Sequence, residues 1–438
     1  MNINRLSAVF DITSFGAKPD GKSLCTDAIA FTIRECARHG GGTVYVPSGT
    51  FVTGAVELKS NINLFLDAGA RLVFSRSKED YPLLHARWEG SEQLVHMPMI
   101  YGKKLENVSI TGFGIMDGQG DAWWKPFKDG TLDYPRPRFI SFEDSSRILI
   151  EGIMLMDSPS WTINPVRCDN VTIDKVTIKN PADSPNTDGI NPDSCRNVHI
   201  SNCHVDVGDD CITIKSGTEK SAYRISCENI TIINCTLVHG HGGVVIGSEM
   251  SGGVRNVVIS NCIFEGTDRG IRIKTRRGRG GIVEDIRTSN LVMNGVMCPF
   301  VINQYYYCGE GGKEKVVWDK NPYPVTDTTP VFRSIHFSNI TARNVHAAAA
   351  FIYGLTEMPV EDITFDNVSV SMAENAVPGI PAMMSGLEEV RKMGFFCSNA
   401  RNIYLNRVTL KGHEGPAFQM NNVEKIEFSY CALDDTGI

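Results

Sequence analysis

The chain has 438 residues and a formal net charge of −7, with 42% hydrophobic and 21% charged residues. This composition is typical of a folded globular protein and excludes a disordered chain. The negative net charge gives no general attraction to nucleic acid or to an anionic membrane, so we expect neither partner, and an anionic ligand must meet a local basic patch.

Two further features predict the compartment. The first seventeen residues, which reach Phe15-Gly16-Ala17 almost at once, contain no apolar core of a secretory signal, and no run approaches a membrane span. The 13 cysteines are odd in number and show no paired metal spacing. They predict buried, reduced thiols that pack as small hydrophobes, and with them a cytoplasmic protein.

Residues 9–60 predict an N-terminal cap. Residues 26–37 alternate apolar and polar positions at helical spacing, and Gly40-Gly41-Gly42 ends that run. A short apolar strand follows at 43–47. A repeat fold needs such a cap, because the open end of its core would otherwise face water.

From about residue 60 a short pattern recurs, in which a turn Asn or Asp is followed by alternating β-branched and polar residues. It starts at Asn107, Asn170, Asn197, Asn229, Asn256, Asp362 and Asn402. Short strands at a fixed longer period, without helices between them, predict an all-β fold, a parallel β-helix that forms one domain over residues 1–438. Asn202, Asn234 and Asn261 precede Cys203, Cys235 and Cys262, and stacked asparagines of this kind would satisfy each other's amides.

Three segments lack the repeat and predict long loops over one face of the coils. They are residues 79–103, 119–137 and 308–330. The first contains Arg87 and Trp88, and the last contains Trp318. Cationic and aromatic side chains in such loops are candidates for the wall of a binding cleft, although tryptophans there are often packing residues.

Charged residues recur at near-regular steps through the middle of the chain. From Asp188 to Asp210, His241, Arg272 and Tyr306 the steps are 22, 31, 31 and 34 residues. If each step is one coil, these side chains stack in a column. Alone, each motif is more often a turn or a solvated face, so the stacking carries the argument.

The column has the groups that glycosidic cleavage needs. Paired carboxylates, one protonated and one ionised, cleave glycosidic bonds, and Asp188, Asp209 and Asp210 supply three candidates. Crowding of like charges raises at least one carboxyl pKa and so creates an acid near neutral pH. Arg272 and Lys274 are two residues apart, so in a strand they share a face and suit a carboxylate-bearing substrate.

Four linked motifs make the chain resemble the polygalacturonases of glycoside hydrolase family 28. They are Asn186-Thr187-Asp188, Gly208-Asp209-Asp210, Gly240-His241-Gly242 and Arg272-Ile273-Lys274. The resemblance implies a single right-handed parallel β-helix that hydrolyses α-1,4-galacturonosyl bonds with inversion, without a metal or other cofactor. Side groups one coil apart are separated by about 4.8 Å, which is nearer the spacing of retaining enzymes, yet we follow the family and expect inversion.

The resemblance also implies a role for each residue. Asp209 is the proton donor, Asp188 and Asp210 activate water, and His241 supports the acid. Arg272, Lys274 and Tyr306 bind galacturonate, and Asn186 belongs to the same binding set. Tyr305 and Tyr307 flank Tyr306, so the sequence leaves the choice of tyrosine open.

We expect exo-action on imported oligogalacturonides, with galacturonate released from the non-reducing end. A rhamnogalacturonan or modified-pectin hydrolase is one alternative, but those enzymes tend to lack the His and Arg-x-Lys motifs. A polysaccharide lyase on the same fold would need a strong base and a calcium site. A non-catalytic β-helix adhesin is the alternative from another class. The oligomeric state is left open.

Overall fold

A computed structural model describes residues 8–309 and 311–433 of the chain. The chain divides into two compact units, Met1–Trp88 with Glu92–Gly208 and Glu89–Ser91 with Asp209–Ile438. Residues 1–7, which contribute to the predicted lack of an export signal, lie outside the described part. The prediction of one domain over 1–438 stays a prediction.

The predicted cap helix is confirmed at the start of the first unit, where it spans Thr26–Arg38. Ile29, Ile33 and Cys36 recur at helical spacing and are buried, whereas Phe31 is 45% exposed. The predicted strand follows as Gly42–Val46, and its Val44 and Val46 are buried. One face of the helix therefore supplies the apolar cover that the first coils need.

The strands of the first unit pair in parallel, with the repeat positions in register. Leu64, Ile110, Ile150, Ile173 and Ile200 are successive Cα partners. All five are buried, so each repeat adds one residue to a continuous apolar column. This stacking satisfies the backbone through the neighbouring coil and buries the side chains that the alternation placed inward.

The elements of the first unit are short. Two 3-10 turns, Ile12–Phe15 and Lys78–Asp80, and the helix Asp121–Lys128 accompany the cap helix. Its strands are Val9–Asp11, Asp20–Leu24, Gly42–Val46, Gly49–Thr53, Val56–Glu57, Ile62–Leu66, Ala70–Phe74, Leu83–Trp88, Ser91–His96, Ile100–Lys103, Glu106–Gly112, Ile115–Asp117, Ile140–Glu143, Ser146–Glu151, Met154–Met156, Ile163–Val166, Asp169–Asp174, Thr177–Lys179, Arg196–Ser201 and His204–Val207.

The second unit repeats the same construction with longer strands. Val257, Ile286, Ile335, Ile363 and Ile403 are successive parallel partners and are buried. Its strands are Ile212–Ile214, Cys227–Ile233, Thr236–His239, Val244–Gly247, Val254–Ser260, Ile263–Glu265, Arg269–Lys274, Ile282–Asn294, Cys298–Asn303, Val331–Val345, Ala348–Tyr353, Val360–Met372, Met393–Lys411, Phe418–Ser429 and Ala432–Leu433. Its one described helix is Lys315–Trp318. The predicted parallel β-helix fold is confirmed.

Asparagines turn the chain at equivalent positions of successive coils, as predicted. Asn256 donates to Asn229 at 3.0 Å, and Asn290 donates to Asn261 at 3.2 Å. All four have φ between 54° and 59°, a left-handed conformation that asparagine adopts more readily than most residues. The same residue type thus turns the chain and ties one coil to the next.

None of the thirteen cysteines, all of which lie in the described part of the chain, forms a disulfide. Eleven are buried, among them Cys203, Cys235 and Cys262 at equivalent repeat positions, and Cys308 and Cys431 are partly exposed. The cytoplasmic location that we expect from them stays a prediction. Among the described residues no helix has the length and apolarity of a membrane span.

The segments predicted as long loops contain more structure than expected. Residues 83–96 form a two-stranded sheet, and Ile100–Lys103 joins a parallel sheet of the coils. Trp88 stacks on Trp161 with ring centroids 5.9 Å apart, and buried Arg87 pairs with Asp193 at 2.9 Å. Arg87 and Trp88 therefore pack the first unit, whereas Trp318 of the later segment is 45% exposed.

Candidate active site

Asp210 of the second unit lies against two cations. Its carboxylate accepts hydrogen bonds from Lys274 at 2.8 Å and from Arg272 at 3.3 Å, and all three side chains are buried. Burial by itself would raise the pKa of Asp210, but Lys274 and Arg272 outweigh it and hold that pKa well below its usual range. Asp210 is therefore an ionised carboxylate at neutral pH.

Local sequence explains how the two cations reach one carboxylate. Arg272 and Lys274 lie two residues apart on the strand Arg269–Lys274, so their side chains share a face, as predicted. Gly242 lies beside them, where a Cβ atom would be 2.5 Å from Val245 and 3.1 Å from an Asp210 oxygen. Only glycine lets this turn approach the carboxylate so closely.

Asp209 has the opposite electrostatic character from its neighbour. Its side chain is half-buried, and one oxygen accepts the backbone N–H of Asp210 at 2.8 Å. Burial and the negative charge of Asp210 raise the pKa of Asp209, although His241 and Lys274 partly oppose the shift. Two adjacent carboxyls with pKa values pushed apart are what an acid and a base require.

His241 lies on the next turn. Its backbone N–H donates to the Asp209 carbonyl at 3.3 Å, and its Nδ1 is 2.9 Å from an Asp268 oxygen. The hydrogen bond to Asp268 raises the pKa of His241, burial opposes that shift, and the charge of Asp209 adds to it. At Gly240 a Cβ atom would be 2.2 Å from the Asp209 carbonyl oxygen, so glycine is required there too. The motif Gly-His-Gly thus brings the imidazole next to the carboxyl pair.

Tyr306 is the tyrosine that joins the site. Its ring centroid lies 5.7 Å from the Arg272 guanidinium carbon and 5.0 Å from Lys274 Nζ. Tyr305, fully buried, points elsewhere, since its ring meets Tyr353 at 5.2 Å and Lys320 Nζ at 3.6 Å. The alternation of side chains along the segment thus turns Tyr306 toward the two cations and Tyr305 away from them, and the binding role of Tyr306 stays a prediction.

Substitutions of the two tyrosines should have contrasting effects on substrate binding. Tyr306→Ala should raise KM for galacturonides by roughly 2- to 30-fold, the equivalent of the 0.5–2 kcal/mol of a cation–π contact, and because its ring is also buried it should lose stability as well. Tyr305→Ala should lower the free energy of unfolding by about 3–5 kcal/mol, because it empties a packed aromatic site. Steady-state kinetics and thermal melts of both variants check this, and the reverse pattern would contradict it.

Asp188 and Asn186 belong to the first unit. Asp188 is 3% exposed and accepts a hydrogen bond from Asn191 at 3.0 Å. Asn186 accepts one from Arg136 at 2.7 Å, and Arg136 also donates to the Pro185 carbonyl at 2.7 Å. From the sequence, Arg136 is only one residue of the predicted loop 119–137, and no spacing connects it with Asn186.

Sequence reasoning missed a segment that meets the site residues of the second unit. Residues 373–392 lie between two strands, and Met384 forms a β-bridge with Tyr306. Asn303 donates to the Met383 carbonyl at 3.2 Å, and Arg269 donates to the Ile380 carbonyl at 2.5 Å. The signal available in the sequence was an interruption of the repeat between Met372 and Met393.

A cavity of about 490 Å³ lies between the segment 308–330 and the turn that follows Lys274. Arg277, one of its lining residues, forms a bidentate pair with Glu357 at 2.6 and 2.9 Å. The charged residues that line the cavity are Glu219, Lys220, Arg276, Arg277, Glu314 and Glu357. Three positive and three negative groups balance, so the cavity adds no net attraction for an anion.

Known proteins resemble this chain over most of its length. The profile of the family described as Glycosyl hydrolases family 28 matches residues 36–385. A probable polygalacturonase of Vitis vinifera is 34% identical over 83% of this chain and 74% of its own, and an endo-polygalacturonase of Pectobacterium carotovorum subsp. carotovorum is 31% identical over 66% and 74%. The structure of a hyperthermoactive exopolygalacturonase from Thermotoga maritima superposes with a TM-score of 0.77, at 30% identity over 92% of each chain.

Proposed function

Because the chain belongs to glycosyl hydrolases family 28 and is a glycoside hydrolase of the polygalacturonase type, we propose that it removes galacturonate from the non-reducing ends of oligogalacturonides. The observation that carries the chemistry is the carboxyl pair Asp209 and Asp210. The pKa of Asp209 is raised and that of Asp210 is lowered, and Arg272 and Lys274 adjoin the pair.

The proposed reaction inverts the anomeric carbon in one step. Asp209 donates its proton to the leaving glycosidic oxygen while a water molecule attacks the anomeric carbon from the opposite face. The carboxylate of Asp210 or that of Asp188 accepts the one proton that this water loses. The glycosidic C–O bond breaks and a new C–O bond forms to the water oxygen. Asp209 then regains a proton from solvent, and the base releases its proton to solvent.

The cation pair supplies the specificity for acidic sugars. Arg272 and Lys274 are held within reach of a carboxylate by their contacts with Asp210 and by the ring of Tyr306. A galacturonate carboxylate that enters beside them shares these cations. A neutral sugar gains nothing from this arrangement, so methyl esterification of the substrate should weaken its binding.

One observation supports exo-action over internal cutting, because the exo- and endo-polygalacturonases that the chain resembles are about equally identical to it, at 30% and 31%. Within the second unit, residues 373–392 pack against Tyr306 and Asn303, and so take up space where a long substrate would continue past the cation pair. A cleft closed at one end binds a chain terminus and releases one unit per event.

The early product profile tests this proposal. On polygalacturonate we expect monomer alone and a slow loss of viscosity, because each cut removes a single terminal sugar. On oligogalacturonides labelled at the reducing end, the label should stay on the shortened oligomer. A ladder of mixed oligomers with a rapid viscosity drop would mean internal cutting, and labelled monomer would mean attack from the other end.

Rhamnogalacturonan oligosaccharides test which sugars the enzyme requires along the substrate chain. They present neutral rhamnose between the acidic units, so half of the positions gain nothing from Arg272 and Lys274. We expect them to be cleaved far more slowly than galacturonides of equal length. Comparable rates on both would favour a rhamnogalacturonan or modified-pectin hydrolase.

A further inference from the structure

Asp268 connects three features of the second unit. One of its carboxylate oxygens, Oδ2, lies 2.9 Å from His241 Nδ1 and accepts a hydrogen bond from Arg269 Nη1 at 3.2 Å. Arg269 in turn donates to the backbone carbonyls of Ile380 and Pro381, at 2.5 and 3.4 Å. The carboxylate is therefore fixed from both sides, although its side chain is 39% exposed.

The surroundings of His241 show what this fixed carboxylate does. The charged groups that act on the imidazole are Asp268 from the following coil, and Asp209 and Asp210 from the preceding one, whereas Arg269 pairs with Asp268. The histidine side chain is 55% exposed, so packing alone does not hold the ring. A carboxylate only accepts hydrogen bonds, so the proton of this contact lies on Nδ1, and Nε2 is the free position of the neutral ring.

We propose that Asp268 is a positioning residue of the hydrolase, which fixes the tautomer and the ring orientation of His241 beside the acid Asp209. This proposal rests on the assignment of the acid to Asp209. Asp268 touches neither substrate nor reacting atoms in this scheme and acts only through the imidazole. The sequence gives no motif for it, because Asp268 lies in the turn before Arg269–Lys274 and 27 residues after its partner.

The contact also has an electrostatic consequence with a definite sign. Asp268 raises the pKa of His241, and the charge of His241 lowers the pKa of Asp209. Loss of the Asp268 charge therefore lowers the histidine pKa and leaves the ring neutral over more of the pH range. The pKa of Asp209 then rises, so the alkaline limb of the kcat–pH profile moves to higher pH. The maximal kcat falls.

Two variants of Asp268 separate position from charge. Asp268→Ala removes the acceptor and should lower kcat by about tenfold or more, the order expected for a misplaced catalytic group, with KM within about twofold. Asp268→Asn keeps an oxygen there. His241 and Arg269 both donate to the same oxygen, so together they orient the amide, and most of kcat should be retained. In both variants the pKa of His241, followed by NMR titration, should fall.

The control exploits another ion pair between coils of the second unit. Glu228 accepts from Arg255 Nε at 2.6 Å, also across 27 residues, and lies in no motif of the site. Glu228→Ala should change neither kcat nor the histidine titration. In a His241→Ala background, Asp268→Ala should lower kcat by less than about twofold, because the effects of two residues that act through one another are not additive.

Several results would overturn the proposal. An unchanged His241 titration in Asp268→Ala would mean that the contact does not form in solution. Equal losses of kcat in the Asn and Ala variants would mean that charge, not position, matters. If Asp268→Ala lowered kcat as much in the His241→Ala background as in the wild type, the role of Asp268 would be merely structural. The titration needs no substrate, so it stays informative even if wild-type enzyme fails on galacturonides, which would refute the proposed function instead.

Discussion

Asp209→Asn is expected to remove nearly all turnover, with kcat lowered by about 10²–10⁴-fold, the contribution of a general acid. The amide keeps the size of the carboxyl and its acceptor for the Asp210 N–H, so the fold should persist. Its neighbour Asp210 cannot replace it as an acid, because Lys274 and Arg272 hold Asp210 ionised.

The pH profile adds a signature to this loss. Burial and the Asp210 charge raise the pKa of Asp209, so the acid keeps its proton to higher pH than an ordinary aspartate. Activity should fall as pH rises through that raised pKa, and this limb should be absent from whatever activity the variant retains. A residual kcat above about a tenth of the wild-type value lies outside the range for a general acid and would refute the role.

The matched control for this variant is Asp285→Asn in the same unit. Asp285 is a turn residue with a positive φ, its side chain is 53% exposed, and it lies 4.0 Å from Arg287. Asparagine tolerates the same backbone conformation, and an exposed ion pair contributes little. Full activity in Asp285→Asn together with a thermal melt of Asp209→Asn close to wild type would separate lost chemistry from lost structure.

The repeats made most of the fold predictable. Each instance of the pattern placed a turn residue and then two inward positions, and these positions pair in register from Leu64 to Ile200 in one unit and from Val257 to Ile403 in the other. A period of this kind specifies both the strand and its neighbour, because every coil must bury the same face. The Asn corners followed from the same logic.

The site was predictable only where its residues share a local spacing. Arg272 and Lys274 share a strand face by alternation, so their shared direction was predictable, whereas their pairing with Asp210 was not. Asp268 was not, since an aspartate in a turn is common and only the fold brings it to His241. The pair Arg277 and Glu357 joins residues 80 positions apart, and no periodicity connects them.

The structure also resolves why so many cations are buried near the site. The run from Arg269 to Arg279 contains five arginines and one lysine, and burial of a charge without a partner costs several kcal/mol. Arg276 pairs with Glu219 at 2.7 Å, and the nearby Lys215 pairs with Glu249 at 2.7 Å. The acidic partners come from other coils, so the sequence window around the run could not show them.

Lys274→Ala should lower kcat/KM on galacturonides by about 100-fold or more, because removal of one member of a buried charge pair costs several kcal/mol. Two effects combine. The substrate carboxylate loses a cation, and Asp210 loses its shorter hydrogen bond, since Lys274 is 2.8 Å away and Arg272 is 3.3 Å away. The value of kcat/KM should fall far more on galacturonides than on methyl-esterified substrates, which have no free carboxylate for Lys274 to bind.

The pH dependence of this variant has a definite sign. Lys274 is among the groups that lower the pKa of Asp210, so its removal raises that pKa. The acidic limb of activity should then move to higher pH. A carboxyl whose pKa is lower in the folded than in the unfolded state stabilises the fold at pH values above its unfolded-state pKa. This contribution is lost as pH falls through the folded-state pKa. The stability deficit of Lys274→Ala should therefore be greatest near neutral pH and should shrink in acid.

Kinetics on both substrates, with thermal melts across pH, test these statements. Lys411→Ala, an exposed lysine on a strand of the same unit, serves as the control for loss of one positive charge and should match wild type. Equal losses on galacturonides and on their methyl esters would mean that Lys274 only holds Asp210 in place. A selective loss on the acidic substrate, with the acidic limb moved up, would show that one ammonium serves both the base and the substrate carboxylate.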